Sequence, residues 1–218
     1  MQGESADLAT RRAWDTVASD YARLLPDMSS EAPLDRGVLA AFAEMLHEDS
    51  AVLVGEVGCG AGRVTKHLHD KGLRMVGFDL SPRMTAEAHR LHAGLPFAAA
   101  HAGALPLRDG VLGGLVSWYS LINMPTPSLG AIFAEFARVT GPGAPVLVAF
   151  QNGDGQRLDR TMSYGQPVSL TYYRHRADEV TKAMTVAGFT PYASVNRAAA
   201  LAFESSQQTA LLAHRNEK

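Results

Sequence analysis

The chain has 218 residues, 46% of them apolar, and 20 Lys and Arg stand against 22 Asp and Glu for a formal charge of −2. This length and apolar content build a folded core and exclude a disordered chain, while the near-zero charge leaves no basic field for nucleic acid. The single cysteine, Cys59, excludes an internal disulfide and a cysteine-based zinc site. With no apolar leader and no apolar run near the ~20 residues of a bilayer span, the expectation is a cytoplasmic protein without a membrane partner.

From Trp14, the positions Val17, Ala18, Tyr21 and Leu25 recur at helical spacing until Pro26 stops them. A second helix follows in Leu34, Val38, Phe42, Ala43 and Leu46, introduced by Pro33 and bordered by the polar cluster 47–50. From residue 51 the pattern changes to short β-branched runs that alternate with helical segments. Strands are expected at 51–57, 73–79, 97–100, 114–118 and 145–150, and helices at 63–70, 82–91 and 127–139. Ser81-Pro82 and Thr126-Pro127 each place a capping hydroxyl before a proline at the first helical position. Such β-α alternation implies a parallel sheet with helices on both faces and ligands at the carboxyl ends of the strands.

Beyond Phe150 a polar, glycine-containing stretch reads as an irregular connection of the kind that is often functional. A helix at 177–187 follows, ended by Gly188, and then two extended runs at 191–196 and 209–213 that are close enough to pair as an antiparallel edge. No repeat or composition break marks a second domain, so one domain is expected over 1–218.

The strongest local signal is Glu56-Val57-Gly58-Cys59-Gly60-Ala61-Gly62, which ends a strand and opens a helix. Three glycines remove side chains where backbone must turn sharply or approach a ligand. Asp79 ends the next strand, at the spacing where an acid in nucleotide-binding sheets meets ribose hydroxyls. An acid at Glu56 sits poorly beside the diphosphate of NAD(P), yet suits the positive ammonium or sulfonium of S-adenosylmethionine.

The segments VLVGEVGCGAGRVTKHLHDKGLRMVGFDLSPRM, ALPLRDG, VSWYSLINMP and RVTGPGAPVLVAF, with the AGF turn at 187–189 and the closing ALLAHR, resemble class I S-adenosylmethionine-dependent methyltransferases over nearly the whole chain. The resemblance implies a Rossmann-like α/β fold with a seven-stranded, mostly parallel sheet of order 3-2-1-4-5-7-6, strand 7 antiparallel. It further implies lid helices in 1–50, a cofactor-binding core in 51–150, an acceptor-site segment in 151–176 and a C-terminal helix with antiparallel strands in 177–218. By position, Glu56, Gly58 and Gly60 would line the methionyl end of the cofactor, Arg63 would pair with its carboxylate, and Asp79 would hold the ribose diol. Leu80 and Met84 would pack on the adenine, His101, Gly103 and Ala104 would border its edge, and Trp118, Tyr119 and Leu121 would face the methyl. Tyr21 matches a tyrosine that closes over the cofactor in many relatives. The product would be S-adenosylhomocysteine and the acceptor a small molecule, taken by a monomer or homodimer.

The residues leave several choices open. His101, Tyr119 and His175 are candidates for a general base, each with a purely structural alternative, and alignment of an activated methyl needs no base at all. Tyr164, Tyr172 and Tyr173 either form the acceptor pocket or cover the core. Cys59 reads as a small buried filler, and no histidine cluster supplies three ligands, so no metal is expected. An NAD(P)-dependent oxidoreductase and a binding protein that has lost catalysis remain as competitors.

Overall fold

The computed structural model describes residues 2–46 and 52–217. Five parallel strands come first: β1 (Leu53–Val57), β2 (Arg74–Asp79), β3 (Phe97–Ala99), β4 (Leu112–Trp118) and β5 (Pro145–Gln151). Two long C-terminal strands, β8 (Phe189–Arg197) and β9 (Gln208–Arg215), complete a seven-stranded sheet of order β3-β2-β1-β4-β5-β9-β8, in which β9 runs antiparallel to both neighbours. Counted within this sheet, the order is the expected 3-2-1-4-5-7-6. A separate two-stranded sheet pairs β6 (Arg157–Ser163) with β7 (Gln166–Tyr173). The expected strand start at residue 51 and the polar cluster 47–50 lie outside the described residues.

β5 explains why its sequence is a continuous apolar run. Val146, Val148 and Phe150 face a core shared with Phe133 of α5 (Leu129–Val139) and Val180 of α6 (Ala177–Val186). Leu147 and Ala149 face the other core, with Phe42 of α2 (Pro33–Glu44) and Leu68 of α3 (Arg63–Asp70). A strand covered on both faces cannot alternate apolar with polar residues. Each fully buried large side chain contributes about 1.5–3 kcal/mol, which anchors the sheet whose strand tips carry the site.

α3 and α4 (Pro82–Leu91) keep their expected bounds, and Ser81 caps α4 by accepting the Met84 amide at 3.1 Å. The expectation at Thr126 needs correction. A 3-10 turn occupies Thr126–Ser128, the α-helix begins at Leu129, and the Thr126 hydroxyl meets the His175 Nδ1 at 3.2 Å instead of a backbone amide. Helix α1 is longer than its apolar period suggested, spanning Gln2–Leu24. It docks through Asp15, which accepts from the Ser81 hydroxyl at 2.6 Å and the Arg83 amide at 3.2 Å.

The segment after β5 is not irregular. It folds as an antiparallel hairpin of β6 (Arg157–Ser163) and β7 (Gln166–Tyr173). Its turn places Tyr164 at φ 50 and Gly165 at φ 81, the two left-handed residues that suit the twist of a tight hairpin. The Gln166 amide group donates to Asp20 at 2.8 Å, so the hairpin is tied to α1.

Candidate functional site

A cleft of about 720 Å³ opens at the carboxyl ends of β1, β2 and β4. Its floor is the glycine turn, stitched to β2 by backbone: the Gly58 and Cys59 amides donate to the Phe78 carbonyl at 2.7 and 3.0 Å. Gly58 has φ +78, and a Cβ there would stand 2.1 Å from the Ser120 Cβ. That glycine is required by the loop after β4, which packs directly against the turn. Gly60 has φ +52 and faces the Tyr21 ring, 3.2 Å from where a Cβ would sit.

Asp79 joins the two strand tips. Its Oδ2 accepts the Gly60 amide and its Oδ1 the Ser81 amide, both at 2.8 Å. Burial pushes its carboxyl up to about 6 against these two hydrogen bonds. Each oxygen retains a further lone pair for a ligand hydroxyl. Leu80 and Met84 continue an apolar wall beside it, and Trp118 and Tyr119 form the wall at β4.

Several expected site residues do not line this cleft. Glu56 is 2% exposed behind the glycine turn, where it accepts from the Thr65 hydroxyl, and burial pushes it up to about 8 against that bond and the charge of Arg63. Leu121 is a core residue at 0% exposure. The amides of Gly103 and Ala104 are already used, donating to His101 Nδ1 at 3.0 Å and the His101 carbonyl at 2.9 Å. Those amides are not free to donate to an adenine edge, and of this loop His101 and Ala102 line the cleft.

The base candidates separate cleanly. His175 is fully buried away from the cleft, with Nε2 at 2.9 Å from the Leu121 carbonyl and Nδ1 facing Thr126. Burial lowers its pKa against the Leu121 bond, so it is a neutral structural link and not a base at the cleft. Tyr119 does line the cleft, at the strained φ of 57, but burial raises its pKa and it keeps its proton near neutral pH. His101 lines the cleft with Nδ1 accepting from Gly103 and Nε2 3.4 Å from Asp7.

Of the roof, Tyr21, Tyr164 and Tyr172 are candidates in the sequence, whereas Glu31, Arg197 and Glu204 carry no signal there. Tyr164 and Tyr172 line the cleft, whereas Tyr173 stacks on His175 with ring centroids 6.3 Å apart. Tyr21 meets Trp14 and Tyr164 edge-on at 5.8 and 5.2 Å, joining α1 to the hairpin. Glu31, which precedes α2, is buried in the cleft wall and ion-pairs with Arg63. Arg197 at the end of β8 binds Glu204 of the cleft wall at 2.6 Å and Asp35 of α2 at 2.5 Å. Cys59 is a buried filler among Ala88, Leu95 and Phe97, and burial raises its pKa. Among the described residues no helix is long and apolar enough to cross a membrane, and no three His, Cys, Asp or Glu are grouped to hold a metal.

Residues 54–143 match the methyltransferase domain family. The chain is 30% identical over 139 residues to the malonyl-[acyl-carrier protein] O-methyltransferase of Pseudescherichia vulneris, an alignment covering 64% of this chain and 53% of that protein. It is 33% identical over 148 residues to the demethylmenaquinone methyltransferase of Beutenbergia cavernae, covering 64% of this chain and 61% of the relative. The chain therefore spans between half and two thirds of the length of these two relatives. The solved magnesium protoporphyrin IX methyltransferase of Synechocystis PCC 6803, with S-adenosylmethionine bound, aligns over 97% of both chains with a TM-score of 0.71 at 17% identity, a likeness of fold.

Proposed function

We propose that the chain, with its methyltransferase-domain match at residues 54–143 and the fold around it, is a class I S-adenosylmethionine-dependent methyltransferase that transfers a methyl group to an O, N or C nucleophile of a small molecule. The observation that carries this reading is the Gly60–Asp79 contact at the floor of the cleft, where a glycine amide and a carboxylate with spare lone pairs meet. When bound, S-adenosylmethionine supplies a methyl already activated on a sulfonium. The chain's task is then alignment and exclusion of water.

Asp79 accepts from the ribose hydroxyls, held for it by the Gly60 and Ser81 amides. Leu80 and Met84 give the purine an apolar flank, and Tyr21 closes over the glycine turn from α1. Trp118 and Tyr119 wall the side toward the acceptor. The rest of the lining sets Ile122, Met124, Tyr164, Tyr172 and Phe203 beside the polar Asn123, Gln151, Arg160 and Gln208, which suits an acceptor with an apolar body and polar substituents. Of the two relatives named above, the demethylmenaquinone enzyme carries the acceptor name closer to that chemistry.

No base candidate offers a free basic lone pair to the cleft: His175 lies outside it, Tyr119 holds its proton, and His101 Nδ1 is occupied by Gly103. These three candidates therefore support catalysis by positioning, on an acceptor whose nucleophile needs no help from them in losing a proton. The chain acts as one domain, with α1, α2 and the 151–176 hairpin segment roofing the acceptor. A lone buried cysteine suits work in the cytoplasm.

Calorimetric titration with S-adenosylhomocysteine and with NADH, followed by incubation of the protein with methyl-labelled cofactor and a metabolite extract, tests the proposal. Binding of S-adenosylhomocysteine alone, with label appearing in a small molecule, is expected. Binding of NADH alone assigns an oxidoreductase, and binding without any label transfer assigns a non-catalytic binding protein.

A further inference from the structure

We propose that Arg197 is a positioning residue for methyl transfer: it fixes the loop 198–205 and the Tyr119 hydroxyl against the acceptor side of the cleft, so that Tyr119 donates a hydrogen bond to an oxygen or ring nitrogen of the acceptor. This rests on the methyltransferase reading above and narrows its acceptor to a molecule that carries such a lone pair.

Arg197 ends β8, the edge strand of the sheet, and its side chain and those of Asp35 and Glu204 are only 9%, 8% and 7% exposed. Nε donates to Asp35 Oδ1 at 2.8 Å, and Nη1 donates to Glu204 Oε2 at 2.7 Å and to the Ala198 carbonyl at 3.1 Å. Nη2 donates to Asp35 Oδ2 and Glu204 Oε1. Every hydrogen of the guanidinium is committed, which makes it a rigid post and not a mobile surface charge.

The post holds two parts of the cleft wall. Glu204 also accepts the Ala200 and Leu201 amides at 2.7 and 3.0 Å, so its carboxylate is the centre about which the loop after β8 folds. That loop sets Leu201, Phe203 and Glu204 itself into the wall. Tyr119 leaves β4 with φ 57, a strained geometry for an aromatic residue that persists where surrounding contacts enforce it. Its amide donates to the Ala149 carbonyl at 2.9 Å, and its hydroxyl oxygen lies 3.5 Å from Arg197 Nη2.

The direction of the hydroxyl follows. A guanidinium has no lone pair to accept the phenol hydrogen, so Tyr119 Oη turns its lone pairs to Arg197 and its hydrogen elsewhere. Burial, helped by the Asp35 charge, keeps that hydrogen in place, and among the described residues no acceptor takes it. Tyr119 lines the cleft, so a bound acceptor is the group that can.

A double-mutant cycle tests the assignment. Arg197→Lys keeps the charge without the fork, and Tyr119→Phe removes only the hydroxyl. The two single variants and the double variant are melted thermally to establish folding and titrated calorimetrically with S-adenosylhomocysteine. They are then assayed for label transfer from methyl-labelled cofactor across a dilution series of metabolite extract. Each single variant is expected to lower the rate at limiting extract by about tenfold while S-adenosylhomocysteine affinity stays within about threefold, and the double variant to lose little more than either single. If Arg197→Lys does not fold, Asp35→Asn takes its place with the same pattern expected, because it loosens one side of the fork and leaves the Arg197–Glu204 pair. Losses that multiply in the double variant, an unchanged rate for Tyr119→Phe, or an equal loss of S-adenosylhomocysteine affinity would overturn the assignment. Wild-type protein that transfers no label overturns the methyltransferase reading itself, and the assignment falls with it.

Discussion

The floor of the cleft and its roof are held by different forces. The floor is held by the backbone of the glycine turn: its amides donate to the Phe78 carbonyl, and the Gly60 amide donates to the Asp79 carboxylate at the end of the adjacent strand. The roof is side chain against side chain across long sequence separations, with Tyr21 against Tyr164, Asp20 against Gln166, and Arg197 joining Asp35 to Glu204. Backbone geometry can serve one constant ligand, while side chains on separate elements can be exchanged to fit different ones. Changes in the floor should therefore act on the cofactor, and changes in the roof on the acceptor.

The largest effect belongs to Asp79→Ala. It removes both the acceptor for the ribose and the partner of two amides, and should weaken S-adenosylhomocysteine by about 100-fold or more in a calorimetric titration. A loss below about threefold would break the distinction between floor and roof at its firmest point. Gly58→Ala should destabilise the protein by about 2–4 kcal/mol in denaturant unfolding, since its new Cβ meets Ser120 and its backbone is left-handed. A smaller change is expected in the roof. Tyr172→Ala should lower kcat/KM for the methyl acceptor by about tenfold while S-adenosylhomocysteine affinity moves less than threefold.

His175→Asn sharpens the contrast between chemistry and architecture. A buried link between Leu121 and Thr126 predicts about 1–2 kcal/mol of lost stability and an unmoved pH–rate profile. A lost limb of that profile at wild-type stability would restore it as a base. The smallest effect is titration of the floor in the free protein. Burial raises Glu56 to about 8 and Asp79 to about 6, so the native state keeps protons that the unfolded chain has released. Stability from these groups is complete below the ordinary carboxylate range and declines as pH rises toward about 8. Melting temperature should fall over that interval, and Glu56→Gln should flatten part of the slope.

The difference between floor and roof also explains what could be read from the sequence. The glycine turn, Asp79, and the bounds of α3 and α4 are local signals, written in residues that touch each other within one β-α unit. The hairpin escaped notice because β6 is mostly exposed and polar, so it carries little of the apolar alternation that marks a strand. α1 was read short because positions 6–12 are mostly exposed and carry no apolar stripe. Thr126-Pro127 satisfies the pattern of a capped helix, yet a distant histidine claims the hydroxyl. Glu31 has no motif around it. Only the fold, which brings it 32 positions along the chain to Arg63, gives it a partner.

The central claim is tested most directly by a crystal structure of the protein with S-adenosylhomocysteine. The account predicts both ribose hydroxyls within hydrogen-bonding distance of the Asp79 carboxylate, with the homocysteine chain running past Gly60 toward the acceptor wall at Trp118 and Tyr119. A nucleoside bound elsewhere, or one that leaves Asp79 without a ligand contact, would contradict it.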